Sequence, residues 1–146
     1  MAAPTYVWSF AYDLWGDRTP KVTTLKASAN LETKVGTLLI MASGEVDEAT
    51  ASVVGIIGLA MEKTAAALSA GDAIKVELIA PGMVIKGVAD ADADALAGFT
   101  GKTVDMNADG SLDVADVTNG SLTVHTTEDS GLTVYCTPTK GAMFGA

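Results

Sequence analysis

The sequence predicts a mostly β protein, built as a small barrel or sandwich with one or two short helices and an extended N-terminal arm. Three observations predict this fold class. Short runs of β-forming residues recur along the chain and are separated by glycine or polar turns. Helical composition is confined to two brief segments. Near the start, four aromatic residues alternate with smaller ones, as they do along one face of a strand.

The first predicted element is an aromatic-rich arm over 1–20. Five of the eight aromatic residues lie within the first fifteen positions, and the first four follow a period of two that places their rings on one face. Either these rings cover the domain's own core, or the arm adds as a strand to a neighbouring protein. In the second case, deleting 1–16 leaves a folded domain that no longer binds its partner. The candidate interface residues of the arm are Tyr6, Trp8, Phe10, Tyr12 and Trp15.

The domain itself is predicted over 21–137. Glycine turns such as Ser43-Gly44 and Pro81-Gly82 separate its strands, a rhythm that favours a sandwich or small barrel over a parallel sheet with long connecting helices. Two segments have helical composition: 60–69, rich in Ala, Leu and Met, and 89–97, which precedes Gly98 and suits a short helix or a solvated loop. The first five predicted strands after the arm cover 21–27, 37–42, 53–59, 74–79 and 84–88.

The last third is predicted to be a β-meander with turns at 108–110, Asn119-Gly120 and 128–131. We expect His125 on a sheet surface and Cys136 as a buried hydrophobe within the last strand. The tail over 138–146 has no periodicity, and Met143 and Phe144 form a second candidate anchor there. The four strands of the meander are predicted at 103–107, 111–117, 121–126 and 132–137.

Charge and composition exclude several classes of partner. The net charge of -9 disfavours binding to a phosphate backbone, so we expect no nucleic acid. The longest apolar run, 53–61, is too short to cross a bilayer, so we expect no membrane. The start lacks the basic and apolar stretches of a secretion signal, and a single cysteine excludes an intrachain disulfide, so we expect synthesis in the host cytoplasm. Nucleotide-binding glycine loops and a Gly-x-Ser-x-Gly elbow are absent, and we expect neither an enzyme nor a cofactor.

One acidic segment has the spacing of a twelve-residue calcium loop and, taken alone, resembles a dockerin repeat. Such a loop needs a following helix, whereas Asn119-Gly120 favours a turn. A hairpin instead explains the apolar positions Val104, Met106, Leu112 and Val114, so we favour the hairpin and expect no metal. A calcium- or carbohydrate-binding β module stays the alternative function. The six residues of the loop are Asp105, Asn107, Asp109, Ser111, Asp113 and Asp116.

The order of these segments resembles the small capsid decoration, or cement, proteins of tailed bacteriophages. The resemblance covers 21–136 and does not include the aromatic arm. It implies a compact β-barrel or β-tulip domain that forms a homotrimer, or sometimes a dimer. It also implies a position on the outer surface of the virion, where the protein bridges major capsid proteins and stabilises the shell. The segments that carry the resemblance are 36–39, 44–46, 54–60, 71–76, 101–105 and 108–111.

Overall fold

The computed structural model describes residues 3–49 and 56–139, which form eleven β-strands and one 3₁₀ turn. Within these ranges no α-helix is present, and the strands build two antiparallel sheets packed face to face plus a two-stranded ribbon. This confirms the mostly β fold class and its sandwich form. Neither described sheet closes into a barrel.

Sheet A contains four strands and sheet B five. The strands of sheet A are β1 (Ser9–Asp13), β7 (Met83–Val88), β10 (Leu122–Glu128) and β11 (Thr133–Pro138). Those of sheet B are β2 (Lys21–Lys26), β3 (Leu38–Ala42), β4 (Glu45–Glu48), β5 (Ile56–Ala60) and β6 (Ala73–Leu78). The ribbon is β8 (Asp105–Met106) with β9 (Leu112–Asp113). The spatial orders are β1-β7-β11-β10 and β2-β6-β5-β3-β4.

Two hydrophobic clusters lie on opposite faces of sheet B. One cluster fills the space between the sheets, where Leu38 and Ile56 of sheet B meet Ile85 and Cys136 of sheet A. The other lies on the far face of sheet B. Because side chains alternate across a strand, one strand can serve both clusters. Sheet B is therefore an apolar middle layer. The buried members of the far cluster are Ala27, Leu31, Leu39, Val46, Ala60, Ile74 and Val76.

The segment predicted as a separate arm contributes a strand to the domain. β1 pairs with β7 in an antiparallel ladder. Trp8, just before β1, is only 2% exposed, and its Nε1 donates a hydrogen bond of 2.8 Å to the carbonyl of Gly110. The Trp8 ring packs directly on Gly87, where an added Cβ would lie 2.4 Å from ring atoms. Deleting 1–16 would remove a strand and a core side chain, so a separable arm is not what the structure contains.

The alternation of the N-terminal rings is interrupted at Ala11. The register of β1 against β7 shifts between Phe10 and Tyr12, which leaves Ala11 as an extra residue. An extra residue moves the following side chain to the other face of the sheet. Phe10 therefore packs against the core, whereas Tyr12 lies on the outer face of sheet A. The prediction that all four rings share one face is wrong for this reason.

Neither of the two segments with helical composition forms an α-helix. The segment 60–69 is irregular after Ala60, because its backbone bonds to a neighbouring loop: the Leu68 amide donates to Leu31 at 2.9 Å and the Thr64 amide to Thr33 at 3.1 Å. A helix this short gains few internal bonds and loses to such alternatives. The segment 89–97 forms only the 3₁₀ turn Asp94–Leu96.

Cys136 is fully buried in β11, as predicted, and burial raises the pKa of its thiol. The first residues of the strand predicted at 53–59 lie outside the described residues, and so do Met143 and Phe144 of the predicted C-terminal anchor. No helix in the described ranges is long and apolar enough to span a membrane.

Candidate interaction surface

The outer face of sheet A carries a group of rings that we call the aromatic surface: Tyr12, Trp15, Phe99, His125 and Tyr135. Tyr12 lies between His125 and Tyr135, with ring centroids 5.8 Å and 6.1 Å away. Phe99 stacks on His125 at 5.1 Å. The hydroxyl of Tyr12 lies 2.7 Å from Nδ1 of His125. Rings from β1, β10, β11 and a connecting loop thus form one packed surface.

Tyr12, at the centre of the aromatic surface, carries no charge at neutral pH, and its surroundings favour this neutral form. Burial raises the pKa of Tyr12, and the neighbouring Tyr135 and Glu128 raise it further. The hydroxyl therefore keeps its proton at neutral pH and can donate it to Nδ1 of His125. Beside this pair, Nζ of Lys86 lies 5.7 Å from the centroid of Tyr135, within the range of a cation–π contact.

Trp15 is the most exposed large hydrophobic residue described, with 77% of its surface accessible. Its indole nevertheless has a fixed support, because it packs against Gly82, where an added Cβ would be 2.0 Å from the ring. Gly82 also has a φ of +93°, which favours glycine. An apolar groove of about 470 Å³ runs beside the indole. Its lining residues are Leu14, Trp15, Pro81, Gly82, Phe99, Thr137 and Pro138.

An ion pair fixes the loop that carries Trp15. The carboxylate of Asp13 accepts hydrogen bonds from Nε and Nη2 of Arg18 at 2.9 and 2.8 Å, and from the backbone amide of Trp15 at 3.2 Å. Arg18 also donates to the carbonyl of Pro81 at 3.1 Å. The hydrogen bond from Arg18 lowers the pKa of Asp13 to about 2. The Asp13 carboxylate therefore stays ionised, and its ion pair with Arg18 persists, at neutral and mildly acidic pH.

Acidic loops lie at the other end of sheet A. The loop that holds Asp92 and Asp94 contacts the β10–β11 turn, since the Ala93 amide donates to the carbonyl of Gly131 at 3.0 Å and Thr127 Oγ1 donates to Asp94 at 2.6 Å. That turn adds two further acidic residues, 128 and 129. β11 begins at this turn and ends at Pro138, beside the Trp15 groove. The acidic loops and the exposed Trp15 therefore lie at opposite ends of this strand.

The segment with calcium-loop spacing folds as the predicted hairpin. β8 and β9 pair with Asp105 opposite Asp113. One carboxylate oxygen of Asp109 accepts bonds from the amide and the hydroxyl of Ser111, at 3.0 and 2.6 Å. The side-chain amide of Asn107 donates to Ser111 and Asp90, each at 3.0 Å. Three polar residues of the loop, Asn107, Asp109 and Ser111, are thus engaged in closing the turn. In the described ranges, no group of three or more His, Cys, Asp or Glu is arranged to hold a metal.

Asp105 is the unusual member of this hairpin. Its side chain is buried, and Oδ1 has no hydrogen-bond partner among the described residues. Burial raises the pKa of Asp105, and the nearby Asp116 and Asp113 raise it further. This buried carboxyl group is therefore destabilising when it is ionised.

The structure separates the predicted interface residues into two sets. Trp8 and Phe10 belong to the core, whereas Tyr12 and Trp15 lie on the aromatic surface. Tyr6 is also partly exposed, and its amide donates to the carbonyl of Asp109 at 2.8 Å. Phe99, His125 and Tyr135 were not predicted as interface residues. Alternation with buried Val134 and Cys136 places Tyr135 outward, but no sequence signal places Phe99.

No family model matches the chain, and no curated protein does either. Among solved structures, the crystal structure of the head fiber gp8.5 N base in bacteriophage phi29 superposes with a TM-score of 0.49. That superposition covers 82% of this chain and 95% of that chain, at 16% sequence identity. A TM-score and a sequence identity this low assign neither a family nor a function to this chain.

Proposed function

We propose that this chain is a structural protein of a bacteriophage virion, which binds the outer surface of the capsid and stabilises it by bridging major capsid proteins. The observation that carries the proposal is the arrangement of sheet A: the exposed Trp15 and its apolar groove lie at one end, and acidic loops lie at the other. The resemblance of 21–136 to capsid decoration proteins supports the same role.

The aromatic surface has the composition of an interface centre. Trp, Tyr and Arg supply most of the binding energy at protein interfaces, and here Trp15, Tyr12 and Arg18 occur together. Because Gly82 and the Asp13–Arg18 pair already hold Trp15, little side-chain freedom is lost on binding. On a capsid lattice such a contact is repeated in every copy, so modest affinity per site suffices for a stable coat.

The acidic end suits exposure to solvent. With Trp15 and its groove against the shell, the loops around Asp92 and Glu128 lie at the far end of β11. A net charge of -9 repeated over many copies keeps decorated particles apart and discourages binding to nucleic acid.

Replacing Trp15 by alanine tests the shell contact. We expect binding to purified shells of the phage that encodes the chain to weaken about 10-fold, because an exposed anchor is lost. The melting temperature should stay within about 2 °C, because Trp15 contributes little to the core. Co-sedimentation with shells measures binding, and Leu132→Ala, at an exposed position of the acidic end, is the matched control. Absence of the chain from purified particles, or unchanged binding of Trp15→Ala, would contradict the proposal.

The proposed assembly is a homotrimer that contacts the major capsid protein. Light scattering should give a solution mass of three times the 14.8 kDa chain. A mass of two chains would replace the trimer by a dimer, and a mass of one chain at high concentration would remove self-association from the proposal.

A further inference from the structure

Sheet B extends past the edge of sheet A on the side of β1. Glu77 of β6 lies opposite Leu59 of β5 and Val22 of β2, so these three side chains share the face of sheet B that turns toward sheet A. Leu59 is buried there, but Val22 is 50% exposed. Within β2 and β6, both fully described, no residue joins the cluster between the sheets. These two strands therefore form a step beside β1 that the described strands of sheet A do not cover.

The backbone edge that borders this step is unpaired along β1 in the described ranges. β1 is the outermost strand of sheet A, and no described residue hydrogen-bonds to its strand backbone on the side away from β7, although the preceding Trp8 amide donates to the carbonyl of Gly36 at 2.8 Å. The opposite edge of the sheet is different, because the amides of Gly98 and Phe99 donate to β10 carbonyls at 2.9 and 3.1 Å. An unpaired edge presents free N–H and C=O groups to any extended chain that reaches it.

A groove of about 330 Å³ lies between the β1 edge and the step. Its floor is apolar, and two large aliphatic residues at its rim, Val35 and Met61, are exposed, Val35 to 62%. Such a groove accommodates a branched aliphatic side chain. Its lining residues are Trp8, Ser9, Phe10, Val35, Gly36, Leu59, Ala60, Met61 and Glu77.

We propose that an extended segment of another virion protein adds to β1 as a further strand of sheet A and places an aliphatic side chain in this groove. The segment would cover the step, where Lys75 and Lys26 are exposed on the same face as Val22 and the half-buried Glu77. Two cations against one carboxylate leave this face with a net positive charge, which matches carboxylates in the added segment. This inference rests on the proposed function and supplies the second contact that bridging requires, the aromatic surface being the first.

Charged substitutions at the groove rim test the site without disturbing the core. Val35→Asp and Met61→Asp should each weaken binding to shells about 10-fold, because a carboxylate would have to be buried beneath the added strand. Both residues are exposed in the free protein, so the melting temperature should not change. Leu132→Asp, also exposed but far from β1, is the matched control and should bind like the unmodified protein.

Amide exchange tests the strand pairing itself. In free protein, the outward-facing amides of β1 should exchange rapidly, and in purified decorated particles they should exchange at least about 10-fold more slowly. A photocrosslinker at position 61 should attach to an extended segment of another virion protein. If the chain is present on particles but β1 exchange is unchanged, or both rim variants bind normally, the strand site is overturned while the proposed function stands. If the chain is absent from particles, both are overturned.

Discussion

Replacing Trp8 by alanine is expected to lower the free energy of unfolding by about 3–5 kcal/mol. The indole is buried between β7 and the ribbon, packs on Gly87, and donates to the carbonyl of Gly110. Alanine leaves a cavity there and leaves that buried carbonyl without its donor. Because the ribbon and the N-terminal segment meet at this indole, both should loosen in the variant.

Urea denaturation followed by circular dichroism measures the Trp8 effect. Trp15→Ala is the control, since the only other tryptophan is exposed and should change the unfolding free energy by less than about 0.5 kcal/mol. A loss below about 1 kcal/mol in Trp8→Ala would show that the N-terminal segment does not support the core.

Replacing Asp105 by asparagine is expected to raise the free energy of unfolding at neutral pH by about 1–3 kcal/mol. The ionised carboxylate is buried, has an unpartnered Oδ1, and lies near two further carboxylates, Asp113 and Asp116. Asparagine has nearly the same shape and carries no charge. The same substitution also adds a donor beside acidic side chains.

The pH dependence follows from the raised pKa of Asp105. In the unfolded chain this group titrates near 3.8, and in the folded chain it titrates higher. The folded state therefore binds the proton of Asp105 more tightly than the unfolded chain does. The stabilisation from this protonation is complete below the unfolded pKa and is lost as the pH rises through the folded pKa. Asp13 acts in the opposite sense, since its pKa is lowered to about 2, but its effect is confined to more acidic solution.

Thermal unfolding between about pH 4 and pH 8 checks this prediction. The unmodified protein should lose stability as the pH rises through the lower part of this range, and Asp105→Asn should have a flatter profile. Asp129→Asn, which removes a carboxylate from an exposed turn, should leave the profile unchanged. A parallel profile for Asp105→Asn would mean that the buried carboxyl is not the group responsible.

Most strands could be predicted from the sequence because their signals are local. The predicted runs 21–27, 37–42, 74–79 and 84–88 lie within two residues of β2, β3, β6 and β7. β4 was missed, since Glu45–Glu48 is short and acidic. The predicted helices failed because bonds to distant loops replaced helical ones.

The candidate surface was predictable only in part. Exposed Tyr12 and Trp15 were identified from their aromatic character, but the shift at Ala11 that separates Tyr12 from Phe10 has no local mark, because alanine fits any strand position. His125 and Phe99 meet because the amides of Gly98 and Phe99 donate to β10 carbonyls, although the two segments lie far apart in the sequence. Such proximity depends on topology, which residue spacing does not encode.

The placement of sheet B between two apolar clusters has a consequence for how the molecule comes apart. Neighbouring residues Leu38 and Leu39 of β3 point into different clusters, as do Leu59 and Ala60 of β5. Unfolding of either cluster would expose one side of both strands and would thereby weaken the other cluster. Heat should therefore disrupt the whole molecule in a single calorimetric transition, with the calorimetric and van't Hoff enthalpies in agreement.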